Sequence, residues 1–260
     1  AFADAKTAYT ATLNIGGGSD AVVSTALVAQ TGSLVIRTGA QDVTTSGVVK
    51  GTNGAAVAIG AVFATVGQGA GAATAINNIN SGLLAARENL IIDADNDQNL
   101  IVDVTTGAGG VVAADVSKGD VLHRAVSTTN IGTAGEQVTL IAGDPSRPDD
   151  TRFNGALTLR AVQSVDLTST FDNTLASLVG LSGAISNNDF NADVDVVIGG
   201  GTNAFSNFAE ISAQNNVFRR AGVRNMNSLS GGLATGAVLD SDVTGQFTVD
   251  TRVDAGALLV

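Results

Sequence analysis

The sequence predicts an all-β chain, a parallel β-helix (β-solenoid) of roughly 18 to 21 residues per coil. Three observations carry this reading. An anchor of the form apolar-x-apolar-x-small recurs as Leu34-Val35-Ile36-Arg37-Thr38, Leu90-Ile91-Ile92-Asp93-Ala94, Leu157-Thr158-Leu159-Arg160-Ala161 and Ala209-Glu210-Ile211-Ser212-Ala213. Its central residues, Ile36, Ile92, Leu159 and Ile211, lie 56, 67 and 52 positions apart. A second anchor, glycine followed by small and branched residues, begins at Gly54, Gly110, Gly180 and Gly232, so the step from first anchor to second is 18, 18, 21 and 21. The third observation is composition. Glycine supplies 32 of 260 residues and aromatics only 4%, and dense Gly, Val and Thr disfavour helix while supplying turns. A unit of 52 to 70 residues cut into such pieces gives about thirteen coils and, at ~4.8 Å per coil, a rod about 60 Å long.

Residues 1–260 read as one continuous solenoid. Tyr9-Thr10-Ala11-Thr12-Leu13-Asn14-Ile15 alternates as a strand. The stretch from Gly51 to Ala86 carries no charge, and its most apolar part, Ala55 to Val66, is too short to span a bilayer. Asn99-Leu100-Ile101-Val102-Asp103-Val104, Ser164-Val165-Asp166-Leu167 and Gln246-Phe247-Thr248-Val249-Asp250 place apolar residues on one face and polar ones on the other. An Asp-Val pair follows the second anchor at Asp120-Val121, Asp193-Val194 and Asp242-Val243. Short helices are allowed at Leu83–Glu88 and Thr174–Val179. A loop at about 142–152 holds both prolines, Pro145 and Pro148, and explains the long second spacing. The end Leu258-Leu259-Val260 is apolar and uncapped.

The Gly-Gly-x-small-small stretches between short Val/Ile/Thr/Asp strands resemble large bacterial β-helical surface proteins. These are the filamentous-haemagglutinin and leukotoxin-like adhesins and the giant secreted β-strand repeat proteins. The resemblance is one of style over roughly residues 10 to 255. It implies secretion, a long stalk and adhesion, and it transfers no site residue. Ile198-Gly199-Gly200-Gly201-Thr202-Asn203 lacks the Asp of a calcium-binding nonapeptide.

Composition narrows the chemistry. There is no Cys, so disulfides and thiolate chemistry are out. Thirteen basic residues against 24 acidic ones give a net charge of −11, with no basic stripe for nucleic acid. The densest basic cluster, Arg219, Arg220 and Arg224, is expected to be an exposed face. His123 is the one histidine, and a lone His without a fixed nucleophile reads as structural. Gly16-Gly17-Gly18 and Gly199-Gly200-Gly201 lack the following Lys-Ser/Thr of a phosphate loop. Asp93, Asp95 and Asp97 open like a calcium loop, but Gln98 and Val104 stand where an EF-hand needs Gly and Glu. Calcium is therefore the single cofactor the sequence entertains. Asp144, Asp149, Asp150 and Arg152 form a candidate ligand loop. They also carry the alternative reading, a β-helical polysaccharide lyase or hydrolase. A third reading is a glycan- or ice-binding solenoid, for which the threonines show no coil-spaced ladder.

The favoured expectation is an extracellular or cell-surface structural and adhesive protein without enzymatic activity. It would be a fibre subunit or a stalk segment of a longer chain. The first residues, Ala1-Phe2-Ala3-Asp4, lack Met and a signal peptide, which suits a mature product or a piece of something longer. Two surfaces are expected to drive self-association or contact with a glycan or host surface. One is the uncharged face containing Ala55, Val57, Ile59, Ala61 and Phe63. The other is the uncapped end at Leu258, Leu259 and Val260.

Overall fold

A computed structural model describes residues 1–16, 25–69, 71–133, 136–144 and 154–260, without the side chains of 219–225. Of the described residues 81% are strand and none is helix. Its strands fall into five successive passes. The first holds β1 (Phe2–Lys6), β2 (Tyr9–Ile15) and β3 (Ala26–Ala29). The second holds β4 (Leu34–Thr38), β5 (Val43–Gly54), β6 (Val57–Gly67), β7 (Ala73–Ile79) and β8 (Gly82–Ala86). In the third, β9 (Leu90–Ile131) runs through what were four strands below, followed by β10 (Val138–Ala142). The fourth is β11 (Ala156–Ile198) and β12 (Thr202–Phe205). The fifth is β13 (Phe208–Gly231), β14 (Ala234–Val253) and β15 (Leu258–Leu259).

Every pairing between these strands is parallel, and the strands lie in two curled sheets, one of ten strands and one of five. A parallel neighbour needs a long crossover, and here the crossover is the remainder of the pass. Like residues therefore stack on like. Leu34, Leu90, Leu157 and Ala209 form one ladder, and Ile36, Ile92, Leu159 and Ile211 the next. Ile15, Ile79, Ile131, Ile198 and Val253 form a third. Leu90, Ile92, Ile131, Leu159 and Ile198 are wholly buried in one cluster, and each such side chain stabilises the fold by about 1.5–3 kcal/mol. A second cluster centres on Phe171, Leu100, Val102 and Val121, and small residues close the far corner at Ala58, Ala108 and Ala113. Gly67 turns the chain at the end of β6 with φ +133°, where a Cβ would collide with the Leu122 carbonyl. Only glycine adopts that backbone at so close an approach.

Register corrects four expectations. Residues stacked on one another are 52 to 67 positions apart, as for Ala156 on Phe208 and Leu90 on Leu157. The 18 to 21-residue interval is thus a distance along one pass, from a wall to its corner. Five passes at ~4.8 Å make a stack about 20–25 Å tall instead of a 60 Å rod. Second, the glycine anchor is out of step: Gly54 faces Gly109, and Gly180 faces Thr235. Third, Asp120 stacks on Asn187 and Asn187 on Asp242, so Asp193 belongs to another row. Fourth, of the segments allowed as helix, Leu83–Ala86 and Thr174–Val179 are strand, in β8 and β11, because stacking partners above and below complete their ladders. The long second spacing arises between β10 and β11, which are separated by residues 143–155. Of the inserted loop only residues 142–144 fall among those described, so Asp149, Asp150 and Arg152 lie outside them.

Candidate functional site

The uncharged segment forms an outer wall. In β6 the residues alternate, with Ala58, Val62 and Ala64 buried and Val57, Ile59, Ala61 and Phe63 facing out. Ala55, at the corner before it, is exposed too. Ile59 is 74% exposed. Register extends this face across four passes. Val57 carries Val112, Val179 and Ala234; Ile59 carries Ala114, Leu181 and Gly236; Ala61 carries Val116, Gly183 and Val238. Leu181 is 65% exposed, and Val112, Val179 and Val238 are exposed as well. At the corner Val111, Leu178 and Leu233 add a rim of exposed apolar residues, Leu233 at 87%. A shallow groove of about 590 Å³ runs over the middle of the wall between Val112, Ala114, Val179, Leu181 and Ala234. Charge begins only in the next row out, where Phe63 carries Lys118, Ile185 and Asp240. Four strands ~4.8 Å apart and about six residues long project roughly 300 Å², within the size range of the largest apolar patch on a soluble monomer, which is often functional. Asp115, opposite Gly60 on the next pass, points inward and is buried. The residues that sequence reasoning missed, Val112, Val179, Leu181 and Val238, are found by the pass-length register.

The two ends are open. Among the described residues β13 and β14 each pair on one side only, with β11, and β14 is exposed along nearly its whole length. At the other end β5 pairs only with β9, and Phe2 of β1 is exposed. Leu258 and Leu259 pair with β12 on one side and stay partly exposed, and Val260 hydrogen-bonds Ala204 through its N–H. Unpaired N–H and C=O groups on a strand edge are a template for another strand.

The acidic run is strand rather than loop. Asp93, Asp95 and Asp97 point outward from β9, two residues apart, so their carboxylates spread along the wall. Asp93 is buried between Arg37 below and Arg160 above, its neighbours in register. Arg160 donates Nε–H to Oδ1 at 3.2 Å and Nη2–H to Oδ2 at 2.8 Å, and Arg37 Nε lies 3.2 Å from Oδ2. Asp95 accepts from Gln41 Nε2 at 3.3 Å. Burial and the neighbouring Asp42, Asp95 and Asp166 push the Asp97 carboxyl up. Among the described residues no three His, Asp or Glu side chains gather as a metal-binding group. The Arg37–Asp93–Arg160 stack is a clamp joining three passes. Asp93→Ala removes three charge-assisted contacts and should cost about 2 kcal/mol, lowering Tm by about 4–8 °C in a thermal melt. An unchanged Tm would make the clamp ornamental.

Asp144 is buried and pairs with Arg87, Nη2 to Oδ2 at 3.0 Å. A cavity of about 200 Å³ beside it is lined by Val28, Ala29, Ala85, Ala86 and Arg87, with no aromatic wall on which a sugar would stack. His123 is buried against Phe190, ring centroids 5.9 Å apart, with its Nε2 2.7 Å from Gln163 Nε2. With Gln163 donating, Nε2 accepts and the ring is neutral. Burial lowers its pKa to about 4, which fits a packed interior group. Gly199–Gly201 form the turn into β12, where the Gly199 N–H donates to Ile131 and its carbonyl accepts from Thr202. No helix of the described residues is long and apolar enough to cross a membrane. No family model, curated protein or solved structure matches the chain.

Proposed function

We propose that this chain is an extracellular structural or adhesive element, a wide β-solenoid with about 52 to 67 residues per coil that serves as a fibre subunit or stalk segment. The observation that carries the reading is the apolar outer wall, unbroken by charge over four passes and bordered by two sets of unpaired strand edges. A rigid parallel stack needs no catalytic group to do this work. The edges supply backbone pairing, and the wall supplies area for side-by-side contact. The acidic, cysteine-free composition suits a protein outside the cell. The polysaccharide-cleaving alternative gains nothing from Asp144, which Arg87 holds. Leu181→Asp places a charge at the centre of the wall without touching the core. Sedimentation and light scattering at rising concentration should show association by the native chain and at least tenfold weaker association by the variant. Equal association by both would remove the wall from the assembly.

A further inference from the structure

A polar chamber lies inside the stack, between the Phe171 cluster and the small-residue corner. Asp115 and Thr106 are 1% and 2% exposed; the Asp115 carboxylate has the Ser182 hydroxyl beside it and no cationic partner, and Thr106 Oγ1 makes no hydrogen bond. They face each other across the interior: a Cβ built on Gly60 would sit 3.6 Å from Thr106 Oγ1 and 3.7 Å from Asp115 Cβ. The pass above repeats the arrangement. Asn173 stacks on Thr106 and Ser182 on Asp115. Asn173 is wholly buried, donates Nδ2–H to the Gly183 carbonyl and leaves Oδ1 without a partner. Ser182 Oγ accepts from Ser228 at 2.7 Å. Among the described residues the side chains facing the enclosure present oxygen, with one carboxylate and no cationic side chain; the Ala1 ammonium lines the adjoining cavity and donates to the Ala61 carbonyl at 2.9 Å. Below it, where β5 and β6 pair on one side only along this stretch, a cavity of about 230 Å³ opens between Gly51, Gly60, Val62 and Thr106.

We propose that Asp115, Thr106, Asn173 and Ser182 form a binding site for one monovalent alkali cation, entered past Gly60. An isolated buried carboxylate is costly unless a counter-charge accompanies it. Oxygen-only surroundings select a hard cation. One carboxylate neutralises one positive charge, whereas calcium prefers several carboxylates and would leave a charge buried here. The site is independent of the assembly reading, since it lies inside a single chain.

The test uses the whole chain with sodium chloride as probe. Sodium is raised from 10 to 500 mM while N-methylglucamine chloride holds ionic strength constant, which cancels general screening of the net −11 charge. The native protein should melt about 4 °C higher at the top of the series, as for one site taken from half-occupied to about 50-fold above its Kd. It should also broaden the ²³Na resonance, and excess potassium should reverse the broadening. Asp115→Asn should abolish both effects, and Thr106→Val should weaken the sodium dependence at least fivefold. A melt identical in both salts with an unbroadened ²³Na line on the native chain would overturn the site, whether or not the variants fold. So would a sodium dependence that survives Asp115→Asn. Melting that rises as pH falls and ignores sodium would show a proton in the cation's place, and would overturn it equally.

Discussion

Phe171→Ala should destabilise the protein by about 3–5 kcal/mol, the range for removing a buried aromatic ring. Phe171 is wholly buried at the centre of the second cluster, stacked on Val104. Its ring fills the space that Gly119 leaves on the facing wall: a Cβ at 119 would meet Phe171 Cζ at 2.5 Å and Val102 Cγ1 at 2.8 Å. The cavity left by alanine is walled by strands fixed above and below, so the site cannot easily collapse. Gly119→Val should be destabilising by itself through overpacking, by about 1–3 kcal/mol. Combined with Phe171→Ala it should be less harmful than the sum, because the new side chain enters the vacated space. Denaturant melts of the two single variants and the pair give the coupling. Strict additivity would contradict the facing of these two positions.

Acid should unfold the protein through His123. Its folded pKa is lowered from 6.5 to about 4 by burial, so the unfolded chain binds a proton that the folded chain refuses. The stability this confers is complete above pH 6.5 and is lost as pH falls from 6.5 toward 4. The slope is about 1.4 kcal/mol per pH unit, and the total about 3 kcal/mol. Asp97 and Asp195 act in the other direction. Burial pushes each carboxyl up, so their ionisation opposes folding near neutrality and that opposition fades as they protonate. His123→Gln keeps an acceptor for Gln163 Nε2 and does not titrate. It should flatten the stability profile between pH 6.5 and 4, leaving the gentler carboxylate trend. An unaltered profile in the variant would place the acid sensitivity elsewhere.

Much of the stacking was legible in the sequence, and the reason it was only partly read is physical. The first anchor is rich in Leu and Ile, whose size and burial permit one register, and its four copies stack as the sequence aligns them. The second anchor is Gly, Ala and Val, and small residues pack almost as well one to three positions away, so its alignment drifted. The step from one anchor to the other is shorter than the register because both anchors belong to one pass, where they mark a wall and a corner. The fourth position of the first anchor reads Arg37, Asp93, Arg160, an alternation of charge that announces the clamp once like positions are stacked. Asp93-Ala94-Asp95-Asn96-Asp97 resembled a turn because Asp and Asn favour turns. Pairing with passes on both sides overrides that preference. The inward aim of Asp115 follows from alternation in β9 and carries no mark in composition.

Negative-stain electron microscopy of the purified protein tests the central claim most directly. If open edges and an apolar wall are assembly surfaces, concentrated protein should form regular filaments. Their subunit repeat should be about 20–25 Å, five passes at ~4.8 Å each, and filaments should lie side by side through the wall. Leu181→Asp should leave single filaments and remove the lateral contacts. Isolated particles that remain monodisperse at high concentration would contradict the account.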